Sequence, residues 1–372
     1  MPEIRYITRI QFDFGALTTL PAELATYGIR NPLIVTDQGI RAAGLLDRLA
    51  VVMGSAPYAV FDETPGNPTE AAVNAALAIY RRERCDGIIG FGGGSSLDCG
   101  KGVAIRAGHA GELKNYATIE GGSPKIGTAC APLIAIPTTA GTGSEVARGA
   151  IIIVKDGRKL GFHSWHLVPK VAILDPELTL GLPAWLTAAT GMDAIAHCIE
   201  TFVNKPFNPP ADGIAIDGLA RGMAHIETAV RNGADREARR QMMSASMQGA
   251  MAFQKGLGCV HSMSHALGGL PGKHLHHGTL NAVLLPTVLR FNRTEVPDKL
   301  ERLDKVLGWP ADAAVAALNG RIGIPASLSA MGVERSDYGW VIKNAMKDHC
   351  HGTNPRIASE ADYRTMLDEA FA

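Results

Sequence analysis

"DGIIGFGGGSSLDCGKGVAIRAG" (Asp86–Gly108) passes from an apolar run through three consecutive glycines into a helical pattern. It reads as a buried strand, a glycine turn and a helix, the unit from which a parallel sheet is built. The surrounding segments repeat this grammar. "NPLIVTD" (Asn31–Asp37), "APLIAIPTTAGTGSE" (Ala131–Glu145) and "KVAILDP" (Lys170–Pro176) read as further buried strands. "EAAVNAALAIYRRER" (Glu70–Arg84) reads as an amphipathic helix between two of them. Apolar strands separated by helices imply an α/β arrangement with a parallel sheet covered on both faces.

Near Leu180 the grammar changes. "PAWLTAATGMDAIAHCIETFV" (Pro183–Val203) and "REARRQMMSASMQGAMAFQKG" (Arg236–Gly256) are long helical patterns without strand runs. The expectation is an α/β domain over 1–180 and an all-α domain over 181–372, with a ligand in the cleft between them.

Composition narrows the function classes. The chain has 372 residues, 46% hydrophobic and 19% charged, with a formal net charge of zero. Such a balance gives no electrostatic footprint for nucleic acid or a membrane surface. Six cysteines occur without a C-x-x-C pair, as expected of free thiols in a reducing compartment. The start "MPEIRYITRIQF" lacks the apolar core of a secretory signal, and no run reaches the ~18 apolar residues of a membrane span. The expected location is the cytoplasm.

Two small-residue loops follow strands. In "GFGGGSSLDCGK" the glycines let backbone approach an anion, and the helix that follows offers unpaired N–H groups. Ser95 and Ser96 could cap that helix or donate hydroxyls. The G-x-G-x-x-G fingerprint is absent in its usual form. In "PTTAGTGSE" (Pro137–Glu145), Thr138, Thr139, Thr142 and Ser144 supply four hydroxyls beside two glycines. Either loop alone reads as an ordinary turn; together they point to a nucleotide. Asp37, ending the "LIVT" strand, could accept from an adenosine ribose and repel a 2′-phosphate, favouring NAD over NADP. It could equally be the N-cap of the next helix.

Histidine clusters later in the chain. "HSMSHALGGLPGKHLHHG" (His261–Gly278) holds five of the twelve histidines. "GMDAIAHCIE" places Asp193 and His197 four apart on one helical face. A salt bridge or N-cap would explain Asp193, and a satisfied core histidine would explain His197. A divalent metal explains both, with further imidazoles from 261–277. Asp plus three His suits iron(II), zinc, cobalt or manganese. His265, one turn beyond His261, could relay a proton. On chemistry alone, His274, His276 and His277 compete for the last ligand position.

Taken together, "GGGSSLDCGK", "PTTAGTGSEVA", "GMDAIAHCIE", "GLGCVHSMSHALGG", "HHGTLNAVLLP" and "TNPR" (Thr353–Arg356) resemble the iron-containing (group III) alcohol dehydrogenase family over nearly the whole chain. The resemblance implies a fold like that of dehydroquinate synthase and iron-containing alcohol dehydrogenases, with a Rossmann-like α/β nucleotide-binding domain over 1–180 for NAD(P) and an all-α metal-binding domain over 181–372 for a divalent metal. Iron(II) is the expected metal, with zinc an alternative on the same ligands. It implies Asp193, His197, His261 and His277 as ligands, His277 being the histidine followed by "GTLNA". It assigns Asp37, Asn67, Gly93, Gly94, Ser95, Thr138, Thr139, Thr142 and Lys159 to the cofactor, and sets His265 near the nicotinamide. One departure is a lengthened "LPGKHL" segment between the last two metal histidines.

The expected activity is metal-dependent hydride transfer between NAD(H) and a small alcohol or aldehyde, in a homodimer. Lys273, His274 and His276 would make the pocket mouth electropositive and favour an anionic substrate. The alternatives are a maleylacetate-reductase-like enzyme, a lyase of the dehydroquinate-synthase type, and a non-catalytic protein with a zinc-stabilised helical core.

Overall fold

The computed structural model describes residues 8–372. The opening "MPEIRYI", read above as part of a start without a signal sequence, lies outside them. The chain forms two compact units. One comprises the described residues up to Thr139 together with Gly143–Gly181; the other comprises Ala140–Thr142 and Leu182–Ala372.

Among its described residues the first unit has eight strands: β1 (Arg9–Phe12), β2 (Pro32–Val35), β3 (Ala59–Phe61), β4 (Gly87–Gly92), β5 (Leu133–Pro137), β6 (Gly149–Ile153), β7 (Lys159–His163) and β8 (Val171–Leu174). Six of them form one sheet in the order β1-β8-β5-β4-β2-β3, and every pairing in it is parallel. Neighbouring side chains alternate between two cores, as the two-residue period of a strand requires. Leu33, Val35 and Ile88 join the core that includes Val73, Leu97 and Val103. Ile34, Ile89, Phe91, Ile134 and Ile173 join a second core with Leu20, Leu24 and Leu49. Apolar side chains on both faces explain why the strands read as unbroken apolar runs.

The remaining pair, β6 and β7, is a separate antiparallel hairpin. Its turn carries Asp156-Gly157, with Gly157 at φ +83°, a conformation that suits glycine. The strand reading above did not include this hairpin.

Topology fixes where a ligand would meet the sheet. From β2 the chain runs outward to β3, then crosses back to β4 and continues to β5 and β8 on the other side. Connections therefore leave β2 and β4 in opposite directions. The crevice outside their carboxyl ends is the switch point at which open parallel sheets bind ligands.

The second unit contains no strand among its described residues. Its principal helices are Ala184–Val203, Pro209–Arg231, Arg236–Ala252, Cys259–Gly268 and His277–Asn292. Small residues let them approach closely. A Cβ on Gly278 would lie 2.2 Å from the Ala189 carbonyl oxygen, and one on Gly249 would lie 3.0 Å from that of Ala194. No helix among the described residues is long and apolar enough to cross a membrane.

Candidate functional site

In the first unit, the switch point gathers Asp37 and the glycine turn. Asp37 uses both carboxylate oxygens: Oδ1 accepts from the Ile40 backbone N–H at 3.0 Å, capping a short helix, and Oδ2 accepts from Ser96 Oγ at 3.0 Å. Capping and a place at the strand end coexist. Gly92, at φ +149°, has no room for a side chain, because a Cβ would lie 2.7 Å from Ser96 Oγ and 3.2 Å from Asp37 Oδ2.

Gly93 precedes the Gly94–Gly108 helix, whose first turn receives no side-chain cap from Gly93. The serines do not serve as its N-cap. Ser96 bonds Asp37, and Ser95 Oγ donates to the Gly66 carbonyl at 2.7 Å. Next to Gly66, Asn67 Oδ1 accepts from Lys159 Nζ at 2.9 Å. Thr139 lies 3.6 Å from the position a Gly93 side chain would take. Thr138 Oγ1 is buried without a hydrogen-bond partner, which a ligand polar group would relieve. The anion-binding features of a helix N-terminus thus coincide with an unpaired hydroxyl. Thr142 belongs instead to the helical unit, where neighbouring Gly141 packs on Thr190.

Ser144 departs from the expected hydroxyl-lined loop. It is buried, and its Oγ donates to Asp98 Oδ1 at 2.6 Å. Lys101, fully buried, reaches the carbonyls of Ser144, Ala147 and Gly149 and the Ser144 hydroxyl, all within 2.9 Å. An uncompensated ammonium in this interior would cost several kcal/mol. Here its donors fasten the loop after β5 to the Gly94–Gly108 helix. The "DCGK" of the glycine motif is therefore structural. Burial draws Lys101 down to about 8 and pushes Glu145 up to about 7.

In the helical unit, four side chains converge. Asp193 Oδ1 lies 3.8 Å from His197 Nε2, 3.8 Å from His261 Nε2 and 3.6 Å from His277 Nε2. Three of the four are fully buried and His277 is partly so. Asp193 and His197 come from one turn of Ala184–Val203, His261 from Cys259–Gly268, and His277 opens the next helix. Of the three rivals for the last position, His277 is the one at the convergence. His276 packs edge-on to Trp185 instead.

Second partners hold these groups. The next residue on the Asp193–His197 face is Glu200. Its Oε2 accepts from His261 Nδ1 at 2.5 Å and its Oε1 from the Val260 backbone N–H at 2.8 Å. A proton on Nδ1 leaves the Nε2 lone pair directed at Asp193. Asn354, of the late "TNPR", accepts from the Cys259 backbone N–H at 3.0 Å and so caps the helix that carries His261. A Cβ on Gly258 would lie 2.4 Å from that Asn354 oxygen and 2.9 Å from Glu200 Oε1, so a glycine suits position 258.

The donor set fits a divalent cation. Asn281 Nδ2 is 2.7 Å from Asp193 Oδ1 and 3.2 Å from Nε2 of both His261 and His277. One amide has two hydrogens for three neighbouring acceptors. A cation would serve Asp193, His197 and His261, whose ligating atoms lie within 4.8 Å of one another, with His277 3.6 Å from Asp193 beside them. Burial opposes the Asp193 charge, yet the surrounding imidazoles hold its carboxyl well below the usual range. Burial draws His197 down to about 4, leaving it neutral as a ligand must be. His261 is pushed up to about 9, because Glu200 and Asp193 outweigh its burial.

His265 stands one turn from His261. Its Nδ1 meets Asp348 Oδ2 at 3.0 Å, and its ring stacks on His277 at 5.3 Å between centroids. Lys273 does not make an electropositive mouth. Its ammonium donates to Asp337 at 2.6 Å and to the Gly332 carbonyl at 2.8 Å, with Glu334 at 3.7 Å, so two carboxylates offset its charge.

Comparison with known proteins gives consistent matches over both units. The family model "Iron-containing alcohol dehydrogenase" matches residues 8–176, and "Fe-containing alcohol dehydrogenase family, C-terminal" matches 187–371. The 4-hydroxybutyrate dehydrogenase of Cupriavidus necator is 60% identical, with 100% of each chain covered. The 1,3-propanediol dehydrogenase of Klebsiella pneumoniae is 37% identical over 97% of this chain and 96% of that one. Among solved structures, a 1,3-propanediol oxidoreductase superposes with a TM-score of 0.94 at 36% identity, covering 100% of both chains.

Proposed function

The chain belongs to the iron-containing alcohol dehydrogenase family and is an oxidoreductase acting on alcohols; from that premise we propose that it interconverts a small ω-hydroxycarboxylate and its aldehyde with NAD(H), on a divalent metal held by Asp193, His197, His261 and His277. The observation that carries the metal reading is the convergence of one carboxylate oxygen and three imidazole nitrogens around Asp193. The substrate class is supported by the full-length relationship to the Cupriavidus necator 4-hydroxybutyrate dehydrogenase.

When bound, the metal supplies Lewis-acid polarisation of the substrate oxygen and NAD accepts the hydride. The chain's residues set the conditions. Asp193 supplies the negative charge among the donors. Glu200 fixes the His261 tautomer, and Asn354 fixes the helix beneath it. Asp348 holds Nδ1 of His265, so Nε2 is the nitrogen that exchanges the substrate's proton with solvent.

Iron(II) is the proposed occupant, and zinc suits the same nitrogen and oxygen donors. Asp37, Asn67, Gly93, Gly94, Ser95, Thr138, Thr139, Thr142 and Lys159 are the proposed cofactor residues. Asp37 at the β2 end supports NAD over NADP. Six free cysteines support a reducing, cytoplasmic setting, and β1 at a sheet edge supports pairing into a homodimer.

Initial rates with NAD on 4-hydroxybutyrate and on 1-butanol test the substrate class. The proposal requires kcat/KM at least about tenfold higher for the acid, a difference of ~1.4 kcal/mol. Equal values, or a preference for the neutral alcohol, would overturn it.

A further inference from the structure

Beside the Asp193 cluster lies a second set of ligating side chains. His265, Asp348, His349 and Cys350 each offer one ligating atom, and these atoms lie within 4.8 Å of one another. His265 Nδ1 is 3.0 Å from Asp348 Oδ2, and the other Asp348 oxygen is 3.6 Å from His349 Nδ1. Cys350 Sγ is 3.4 Å from His349 Nε2.

The arrangement is built rather than incidental. The Cys350 backbone N–H donates to Asp348 Oδ1 at 2.8 Å, which folds the three consecutive residues into a tight turn. His265 is fixed from the other side by its capped helix. The His349 ring stacks on the His265 ring at 5.7 Å. Cys350 is buried at 2% exposure, whereas the His349 side chain, at 24%, gives a path from solvent.

We propose that His265, Asp348, His349 and Cys350 form a second divalent-cation site, selective for zinc or cobalt, adjoining the Asp193 site. Two imidazoles, one carboxylate and one thiolate make a borderline-soft donor set, which disfavours magnesium and calcium. Binding releases the Cys350 thiol proton to solvent, and the His265 ring proton moves from Nδ1 to Nε2. The site has a consequence that rests on the relay role proposed for His265. A cation on Nδ1 removes His265 from its pair with Asp348, so excess zinc inhibits turnover.

Cobalt(II) titration of the purified full-length protein, followed by absorbance, tests the site. The Asp193 cluster has only nitrogen and oxygen donors, so a sulfur-to-cobalt charge-transfer band reports the second site alone. Two cobalt ions per chain are expected, with a near-ultraviolet thiolate band that survives Asp193→Ala and is lost in Cys350→Ser. His349→Ala should weaken the second cobalt by at least about tenfold. Cobalt binding without the band, or a band unchanged by Cys350→Ser, would overturn the site. Zinc inhibition of initial rates separates the consequence: the half-inhibitory concentration should rise at least about tenfold in His349→Ala. Equal inhibition in both proteins would refute the regulatory link, and the band alone decides the site.

Discussion

Glu200 donates nothing to the metal cluster, yet it fixes His261: one carboxylate oxygen takes the Nδ1 proton at 2.5 Å while the other takes the Val260 backbone N–H. The same side chain therefore orients the ring and the helix turn that bears it. Glu200→Gln keeps the size but presents either a neutral acceptor or an N–H to Nδ1. Metal affinity, measured by competition with a chelator, should fall about 10–100-fold with the fold retained. Unchanged affinity would mean that the contact only packs the helices.

Asp37 bears on cofactor choice. It sits at the β2 carboxyl end with its oxygens on Ile40 N–H and Ser96 Oγ. Asp37→Gly should narrow the NAD-over-NADP ratio of kcat/KM, by at least about tenfold if a charge facing the 2′-phosphate is lost. A ratio that stays constant would confine Asp37 to capping.

Glu145 offers a test through pH. Burial raises its carboxyl from 4.5 to about 7 in the folded protein. Between those values the folded chain holds a proton that the unfolded chain has released. Stability from this group is therefore full below about 4.5 and is lost as pH rises through about 7. Glu145→Gln stays neutral throughout. Comparing urea midpoints at pH 5 and pH 7.5, the wild type should lose more than the variant over this interval. Parallel losses would show that Glu145 does not titrate there.

Much of the fold was legible because burial on both faces of a parallel sheet writes apolar runs directly into the chain. "NPLIVTD", "DGIIGFG" and "KVAILDP" each contain an observed strand. The β6–β7 hairpin was less legible, because its strands are joined by a longer loop containing Gly157 rather than by a two-residue turn. In the candidate site, Asp193 and His197 were legible as one helical face. Glu200 continues that face at the seventh position and could have been found by the same spacing. Asp348 and Asn354 could not, since they reach His265 and Cys259 across 83 and 95 residues of chain. Lys273 shows the opposite difficulty: a cation in the lengthened segment suggests an anionic ligand, but Asp337 and the Gly332 carbonyl occupy it.

The central claim is that Asp193, His197, His261 and His277 hold the metal on which turnover depends. Metal content and turnover of Asp193→Ala, after chelation, dialysis and reloading with iron(II), test it most directly. The account predicts less than about one-tenth of a metal ion per chain at the Asp193 site and a fall in kcat/KM of about 10³-fold, with circular dichroism and NAD binding retained. An Asp193→Ala protein that reloads fully and turns over at the wild-type rate would contradict it.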